Sequence, residues 1–92
     1  AAGASAAGNA DYQVLRATIL QRLKRHAEAA ESYQAALRIQ GMNASAWVGL
    51  GISLEALDKR AEAAQAFRHA LEAGALSEDL RAYAEQRARA LR

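Results

Sequence analysis

The chain has 92 residues, of which 52% are apolar and 24% are charged, with a formal net charge of +2 at pH 7. It contains no Cys, which excludes disulfides, thiolate metal ligands and a Cys nucleophile. It also contains no Pro, which favours uninterrupted helices. The net charge is too small to indicate nucleic-acid binding, and no apolar run approaches the roughly 18 residues of a membrane span.

The first nine residues are only Ala, Gly, Ser and Asn, a composition that cannot bury enough apolar surface to order itself. We therefore predict a flexible linker or tail over 1–9 and one folded domain over 10–92. The chain lacks an initiator Met and a signal segment, so we expect it to be a piece of a longer protein. Its composition does not decide between a cytoplasmic and a periplasmic location.

The first two predicted helices follow this linker. Asn9 is a suitable N-cap for a helix over about 10–23. The second helix is predicted over about 25–39 and closes on Gly41, because glycine readily adopts the left-handed conformation found after a helix. Since the turn between them is short, we expect the two helices to be antiparallel neighbours.

The third and fourth helices repeat this arrangement. Asn43 is a suitable N-cap for a helix over about 44–57, and Asp58 is predicted to cap the next one, over about 59–73. Gly74 is predicted to end the fourth helix.

A fifth helix is predicted from the N-cap Ser77 to the C-terminus, with acidic residues in its first turn where the helix dipole favours them. Its predicted inner face comprises Leu80, Tyr83, Ala84, Arg87, Ala88 and Leu91, and the opposite face comprises Arg81, Glu85, Arg89 and Arg92. Such a helix is typical of the cap that ends a stack of repeats and keeps it soluble.

A shift of 34 residues aligns the second predicted helix with the fourth. The identical residues are Leu23, Ala27, Glu28, Ala29, Ala30, Ala36 and Leu37, which align with Leu57, Ala61, Glu62, Ala63, Ala64, Ala70 and Leu71. Tyr33 aligns with Phe67, so that position stays aromatic. A fixed period of this length is typical of stacked supersecondary units, which generally provide binding surfaces.

Within the second unit, the large and small apolar residues are spaced as Trp47, Leu50, Gly51, Leu54, Ala63, Phe67 and Ala70. This pattern resembles the tetratricopeptide repeat, a helix–turn–helix unit of about 34 residues. The first unit matches through Ala29, Tyr33 and Ala36, but Gln13 stands where the Trp is expected. The family's Pro at the end of each unit is absent, and glycines supply the breaks instead.

The resemblance implies an all-α fold: a right-handed superhelical solenoid of helix–turn–helix units. It places two repeats over 10–43 and 44–77 and a C-terminal capping helix over 78–92. Residues Gly51, Ala63 and Ala70 are expected to be small because two helices approach there to within about 8–10 Å. Trp47, Leu54 and Phe67 are expected to fill the space between that pair and the next helix.

The resemblance also implies that the first helix of each unit lines a concave groove that binds a peptide or a helix of a partner. The candidate groove residues are Val14, Thr18, Gln21 and Arg22 from the first unit, Ser45, Val48, Ile52 and Glu55 from the second, and Ala82 and Gln86 from the capping helix. For Val14, Val48 and Ile52, core packing is the open alternative.

One subset of the family holds an acidic C-terminal carboxylate with a clamp of Lys, Asn and Arg. Only Arg22 could contribute to such a clamp here, since the positions that would need polar and basic groups hold Val14, Val48, Gly49 and Ile52. We therefore predict that the ligand is an apolar helix or strand rather than an acidic chaperone tail.

No group of residues predicts catalysis, a cofactor or a metal. His26 and His69 lie on different predicted helices, and only Glu72 has ligand spacing with one of them. Gly49 and Gly51 lie within a helix and not after a strand, so they do not form a phosphate loop. No Ser sits in a nucleophile turn. We predict a module that is not an enzyme, has no small-molecule substrate and acts as a protein-interaction scaffold.

Three other interpretations stay open. A basic C-terminal surface could bind nucleic acid or an anionic membrane, although acidic residues are interleaved and no stacking aromatics accompany it. The domain could regulate a larger enzyme, or it could self-associate. The stretch 79–91 also resembles the C-terminal end of bacterial pilus-biogenesis proteins of the mannose-sensitive haemagglutinin type, which implies a bacterial pilus or secretion assembly.

Overall fold

The computed structural model describes residues 8–91, which fold into five α-helices without a strand. They are α1 (Ala10–Arg22), α2 (His26–Ile39), α3 (Ala44–Ala56), α4 (Arg60–Ala73) and α5 (Glu78–Ala90). Each begins and ends within two residues of the predicted positions. The helices pair as hairpins α1–α2 and α3–α4, with α2 against α3 and α4 against α5. The predicted all-α helical-hairpin solenoid is confirmed, while most of the predicted linker, 1–7, lies outside the described residues.

Three of the predicted N-caps are confirmed. The side-chain oxygens of Asn9, Asn43 and Ser77 each accept a hydrogen bond from the backbone N–H three residues later, at 3.1, 3.1 and 3.2 Å. Each bond satisfies one of the backbone donors that a helix leaves unpaired at its start. These caps therefore fix where α1, α3 and α5 begin.

The predicted cap at Asp58 is wrong. Helix α4 begins after Lys59, and no side chain caps it. Asp58 instead adopts a left-handed conformation with φ of 61°, and Lys24, at the equivalent position of the first hairpin, has φ of 62°. This conformation turns the chain so that the Lys59 N–H bonds back to the Leu54 carbonyl at 2.9 Å. Asp58 thus belongs to a Schellman motif that ends α3.

The two predicted helix-ending glycines behave differently. Gly74 is the C-cap of α4, as predicted, with φ of 89°, but Gly41 has no positive φ, and α2 ends at Ile39 with Gln40 as its C-cap. The left-handed prediction for Gly41 is therefore wrong. Its carbonyl oxygen accepts a hydrogen bond of 2.8 Å from the indole N–H of Trp47, so this loop is held by a side chain.

The core is built from small residues that let helices approach and from two rings that fill the space. Phe67 is fully buried, and a Cβ atom on Gly51 would lie 2.8 Å from its Cζ atom. A Cβ atom on Gly49 would overlap the ring of Tyr33, which is also buried. Ala63 is buried as well, which confirms the predicted close approach of α3 and α4.

Trp47 and α5 are less buried than predicted. The Trp47 side chain is half-buried and lies against the ring of His69, with ring centroids 4.5 Å apart. On α5, Ala84 and Ala88 are buried as expected, but Leu80 and Tyr83 keep about a third of their surface exposed. The predicted inner face of α5 is therefore confirmed for Ala84 and Ala88 and is wrong for Leu80 and Tyr83, which are exposed.

Candidate functional site

The first helix of each hairpin and α5 lie side by side. Helix α1 contacts α3, and a side chain of α5 bonds to a side chain of α3. We call the surface shared by α1, α3 and α5 the groove face. All of the predicted groove residues lie on these three helices, so their exposure and contacts can be compared directly.

Two of the predicted groove residues bond to the next helix along the face. The Gln21 side-chain amide donates to the Gly49 carbonyl at 3.0 Å and to the Ser53 hydroxyl at 2.9 Å. One repeat later, the Arg87 guanidinium donates to the Glu55 carboxylate, with 3.1 Å between Nε and Oε1. In both cases the paired side chains are 32 residues apart in the chain. We call these two bonds the groove-face ladder.

The Glu55–Arg87 bond of the ladder affects the pKa values of two side chains, Arg87 and Tyr83. The hydrogen bond to Glu55 raises the pKa of Arg87, and burial opposes that shift. Burial raises the pKa of the nearby Tyr83 phenol, the Glu55 charge raises it further, and the Arg87 charge lowers it. Glu55 is therefore paired with a permanent cation within the fold.

Two more of the predicted residues serve the fold. The Thr18 hydroxyl donates to the Val14 carbonyl at 2.9 Å and lies 3.2 Å from the Tyr33 hydroxyl. Val48 is only 4% exposed and belongs to the core. For Val48 the alternative of core packing therefore holds, since a side chain so buried presents little surface to a partner.

The remaining predicted residues present accessible surface. Val14 and Ile52 are half-buried and pack against the core, so each is held in place while part of its side chain is open. Arg22 on α1, Ser45 on α3, and Ala82 and Gln86 on α5 are exposed. The accessible part of the groove face thus has two fixed apolar side chains with polar neighbours.

Sequence reasoning missed two features. The first is the pair of ladder partners, Ser53 and Arg87, which the 34-residue period marks as equivalent positions without showing that either forms a bond. The second is a line of exposed apolar residues on α1. A count of the apolar positions around that helix would have shown that it has two apolar sides.

The described residues offer no metal site or membrane span. Within 8–91, no three His, Cys, Asp or Glu side chains gather closely enough to hold a metal ion. His69 and Glu72 form an exposed pair with 3.2 Å between Nδ1 and Oε1. In the same part of the chain, every helix is too short or too polar to cross a bilayer.

Comparison with known families matches both hairpins. A sequence model described as the tetratricopeptide repeat matches residues 10–41, which span α1 and α2, and residues 44–73, which span α3 and α4. No curated protein matches the chain. The resemblance to pilus-biogenesis proteins therefore gains no support and stays a prediction. Because the two matches cover well over half of the sequence and coincide with the two hairpins, the chain belongs to the tetratricopeptide repeat family, whose repeats are generally protein–protein interaction modules.

Proposed function

We propose that this domain is a scaffold module that binds a segment of a partner protein on its groove face. The observation that carries the proposal is the partial exposure of Val14 and Ile52. Both side chains pack against the core, yet part of each remains accessible to solvent. An apolar side chain that is already held in place loses little conformational freedom on binding, so it can serve as an anchor point for a partner.

The ligand that fits this surface is a helix or an extended strand with apolar side chains. The two half-buried residues provide apolar contact, whereas the exposed Arg22 and Ser45 provide polar contact at its margin. Because Gln21 and Glu55 already bond within the fold, we assign the affinity to the apolar residues and not to these two. The face lacks the concentrated positive charge that would select an acidic tail.

Binding to nucleic acid or an anionic membrane is the competing function. At the basic C-terminal end, Arg87 is engaged with Glu55, whereas Arg81 and Arg89 are exposed. Acidic residues are interleaved with these arginines in the sequence: Glu78, Asp79 and Glu85. A salt titration separates the two functions, because phosphate binding weakens steeply with ionic strength and apolar contact does not. Because acidic residues interrupt the basic C-terminal surface, we keep protein binding as the conclusion.

The test uses peptides selected from a displayed library against the whole chain. We expect the amide signals of Val14, Ser45 and Ile52 to shift in the NMR spectrum when such a peptide is added. Ile52→Lys should weaken binding by about tenfold or more, because it puts an unpaired charge at the apolar contact. The matched control is Arg68→Ala on α4, an exposed residue away from the groove face.

The variants must keep their helical circular dichroism for this comparison to count. Signal changes that map to α2 and α4, or equal affinities for Ile52→Lys and the control, would contradict the proposal and move the binding surface elsewhere.

A further inference from the structure

Helix α1 carries a line of large apolar side chains that no described residue covers. Tyr12, Leu15, Ile19 and Leu23 are between 44% and 60% exposed. Their spacing of three or four residues places them on one side of the helix, roughly opposite the buried Ala17. We call these four residues the α1 stripe. It contains half of the large apolar residues that are exposed in 8–91.

The same positions of α3 form a helix-packing surface. Counting 34 residues forward from Tyr12, Leu15 and Ile19 leads to three small residues, Ala46, Gly49 and Ser53, all buried. Helix α2 packs there, so closely that a Cβ atom on Gly49 would overlap Tyr33. The α1 stripe therefore occupies the side on which a helix packs in the second unit. Its side chains are too large for the same close approach, and they suit a helix that interdigitates with them.

The charges at the two ends of the stripe indicate the direction of that helix. Asp11 lies at the start of α1 and Arg22 at its end, on the same flank of the stripe, and both are exposed. Among residues 8–91 neither is in an ion pair. A second copy of α1 in antiparallel orientation would set each Asp11 beside the Arg22 of the other copy. In a parallel two-fold pair, the flanks that carry Asp11 and Arg22 would lie on opposite sides of the interface, so these two charges would not meet.

Two further features agree with the antiparallel arrangement. Helix dipoles of neighbouring antiparallel helices oppose each other, which is favourable. Arg16, the basic residue beside the middle of the stripe, donates a hydrogen bond to the Ser32 hydroxyl on α2. Its charge is therefore drawn toward α2 and away from the apolar contact.

We propose that the α1 stripe pairs with the α1 stripe of a second copy of this chain, in antiparallel orientation, to form a two-fold symmetric dimer. Leu15 of each copy then contacts Ile19 of the other, and Tyr12 approaches Leu23. A helix of 13 residues is about 20 Å long, so the contact is smaller than the roughly 800 Å² per partner of a standard stable interface. We expect a reversible dimer with a Kd on the order of 100 µM.

This dimer does not depend on the proposed function. The stripe lies on a different side of α1 from Val14, and oligomeric state is measured without any peptide. Failure of the groove proposal would leave the dimer unaffected, and a monomeric chain would leave the groove proposal unaffected.

Sedimentation of the 92-residue chain between about 10 µM and 1 mM gives the first test. We expect the mass to rise from monomer to dimer and no further. Leu15→Glu and Ile19→Lys should each weaken the dimer roughly 100-fold, because each removes two apolar contacts from a symmetric interface. The matched control is Met42→Lys in the α2–α3 loop, where the side chain is 71% exposed and lies outside the stripe.

Mixing the two variants tests the orientation. In the antiparallel dimer, Glu at position 15 of one chain meets Lys at position 19 of the other, while Ile19 and Leu15 of the same two chains still touch. The mixture should therefore form a heterodimer when each variant alone is monomeric. A parallel pairing gives no such recovery.

Circular dichroism should be unchanged in both variants, since the substituted side chains are exposed. A chain that stays monomeric up to 1 mM would overturn the proposal, since the stripe would then not pair with a second copy. A mass that grows beyond the dimer would also overturn it, because a head-to-tail contact does not close. Failure of the mixture to recover association would rule out the antiparallel orientation.

Discussion

Helices α1 and α3 hold the same place in their repeats, yet they are buried very differently. Helix α3 buries eight of its 13 residues, including Gly49 and Gly51, whereas α1 buries three of its 13. The reason is position in the stack: α3 lies between α2 and α4, whereas within residues 8–91 α1 has neighbours on one side only. A repeat pattern therefore specifies a hairpin, but the number of neighbouring helices decides which of its surfaces are covered.

The largest expected effect tests the side of α3 on which α2 packs. The equivalent side of α1 is exposed. Gly49→Ala should destabilise the domain by about 3 kcal/mol, because the added methyl group overlaps the Tyr33 ring and forces α2 and α3 apart. This loss outweighs the roughly 1 kcal/mol by which Ala is normally favoured over Gly in a helix. Urea unfolding followed by circular dichroism measures it.

Leu15→Ala is the matched control, since Leu15 is the equivalent residue of α1 and is exposed. At concentrations where the chain is monomeric, it should change the free energy of unfolding by about 0.5 kcal/mol or less. Equal effects at the two positions would show that α2 does not pack on α3 as described.

The next effect concerns Trp47, the aromatic residue that the first repeat lacks. Trp47→Ala should cost about 2 kcal/mol, below the 3–5 kcal/mol expected for a fully buried indole, because the side chain is half-buried. The substitution removes the contact with His69 and the hydrogen bond to the Gly41 carbonyl.

Trp47→Phe separates these two contributions in the same unfolding experiment. It keeps a ring against His69 but loses the indole donor, so it should cost about 1 kcal/mol. A cost for Phe as large as that for Ala would show that the hydrogen bond, and not the ring, carries the stabilisation.

A smaller effect compares the turns within the two hairpins. Lys24 and Asp58 are equivalent and have φ of 62° and 61°, a conformation that side chains other than Asn and Asp adopt with difficulty. Lys24→Gly should therefore raise the free energy of unfolding by about 1 kcal/mol, and Asp58→Gly by less, since Asp tolerates this conformation better. Differential scanning calorimetry of both variants measures these two increases in stability. Equal increases would contradict the prediction that Lys24→Gly has the larger effect.

The smallest effect distinguishes the two bonds of the groove-face ladder. Glu55→Gln should lower the Tm by roughly 2–5 °C and make it less sensitive to salt, because it removes the charge that pairs with Arg87. Gln21→Leu should lower the Tm without changing its salt dependence, since that bond is neutral. Thermal melts at low and high ionic strength provide the comparison.

Helix positions and hairpin pairing could be predicted from the sequence because the information is local. Asn9, Asn43 and Ser77 cap helices in the way that their side chains allow in any context. The left-handed conformation of Lys24 could not be predicted, since nothing in the identity of this residue favours it. It follows from the hydrogen bonds that end α1, and these bonds depend on the turn as a whole.

The candidate site could be predicted only in part, because the contacts of its side chains are not local in the sequence. The period identified the helices of the groove face, but the accessibility of each side chain depends on its neighbours. Val48 is covered by the core, Gln21 reaches α3, and Glu55 is paired across to α5. These are contacts between residues far apart in the chain, and a periodic pattern carries no information about them.

The groove-face ladder has a consequence for how the domain deforms. Opening the groove face would stretch the Gln21–Ser53 and Glu55–Arg87 bonds, whereas sliding α2 against α3 is opposed by the tight contact of Tyr33 with Gly49. We therefore expect the stack to have low mechanical compliance and the groove face to keep its shape when a partner binds. In the proposed function, the ordering entropy of recognition would then fall on the partner segment, which would make the domain a rigid template and not a clasp.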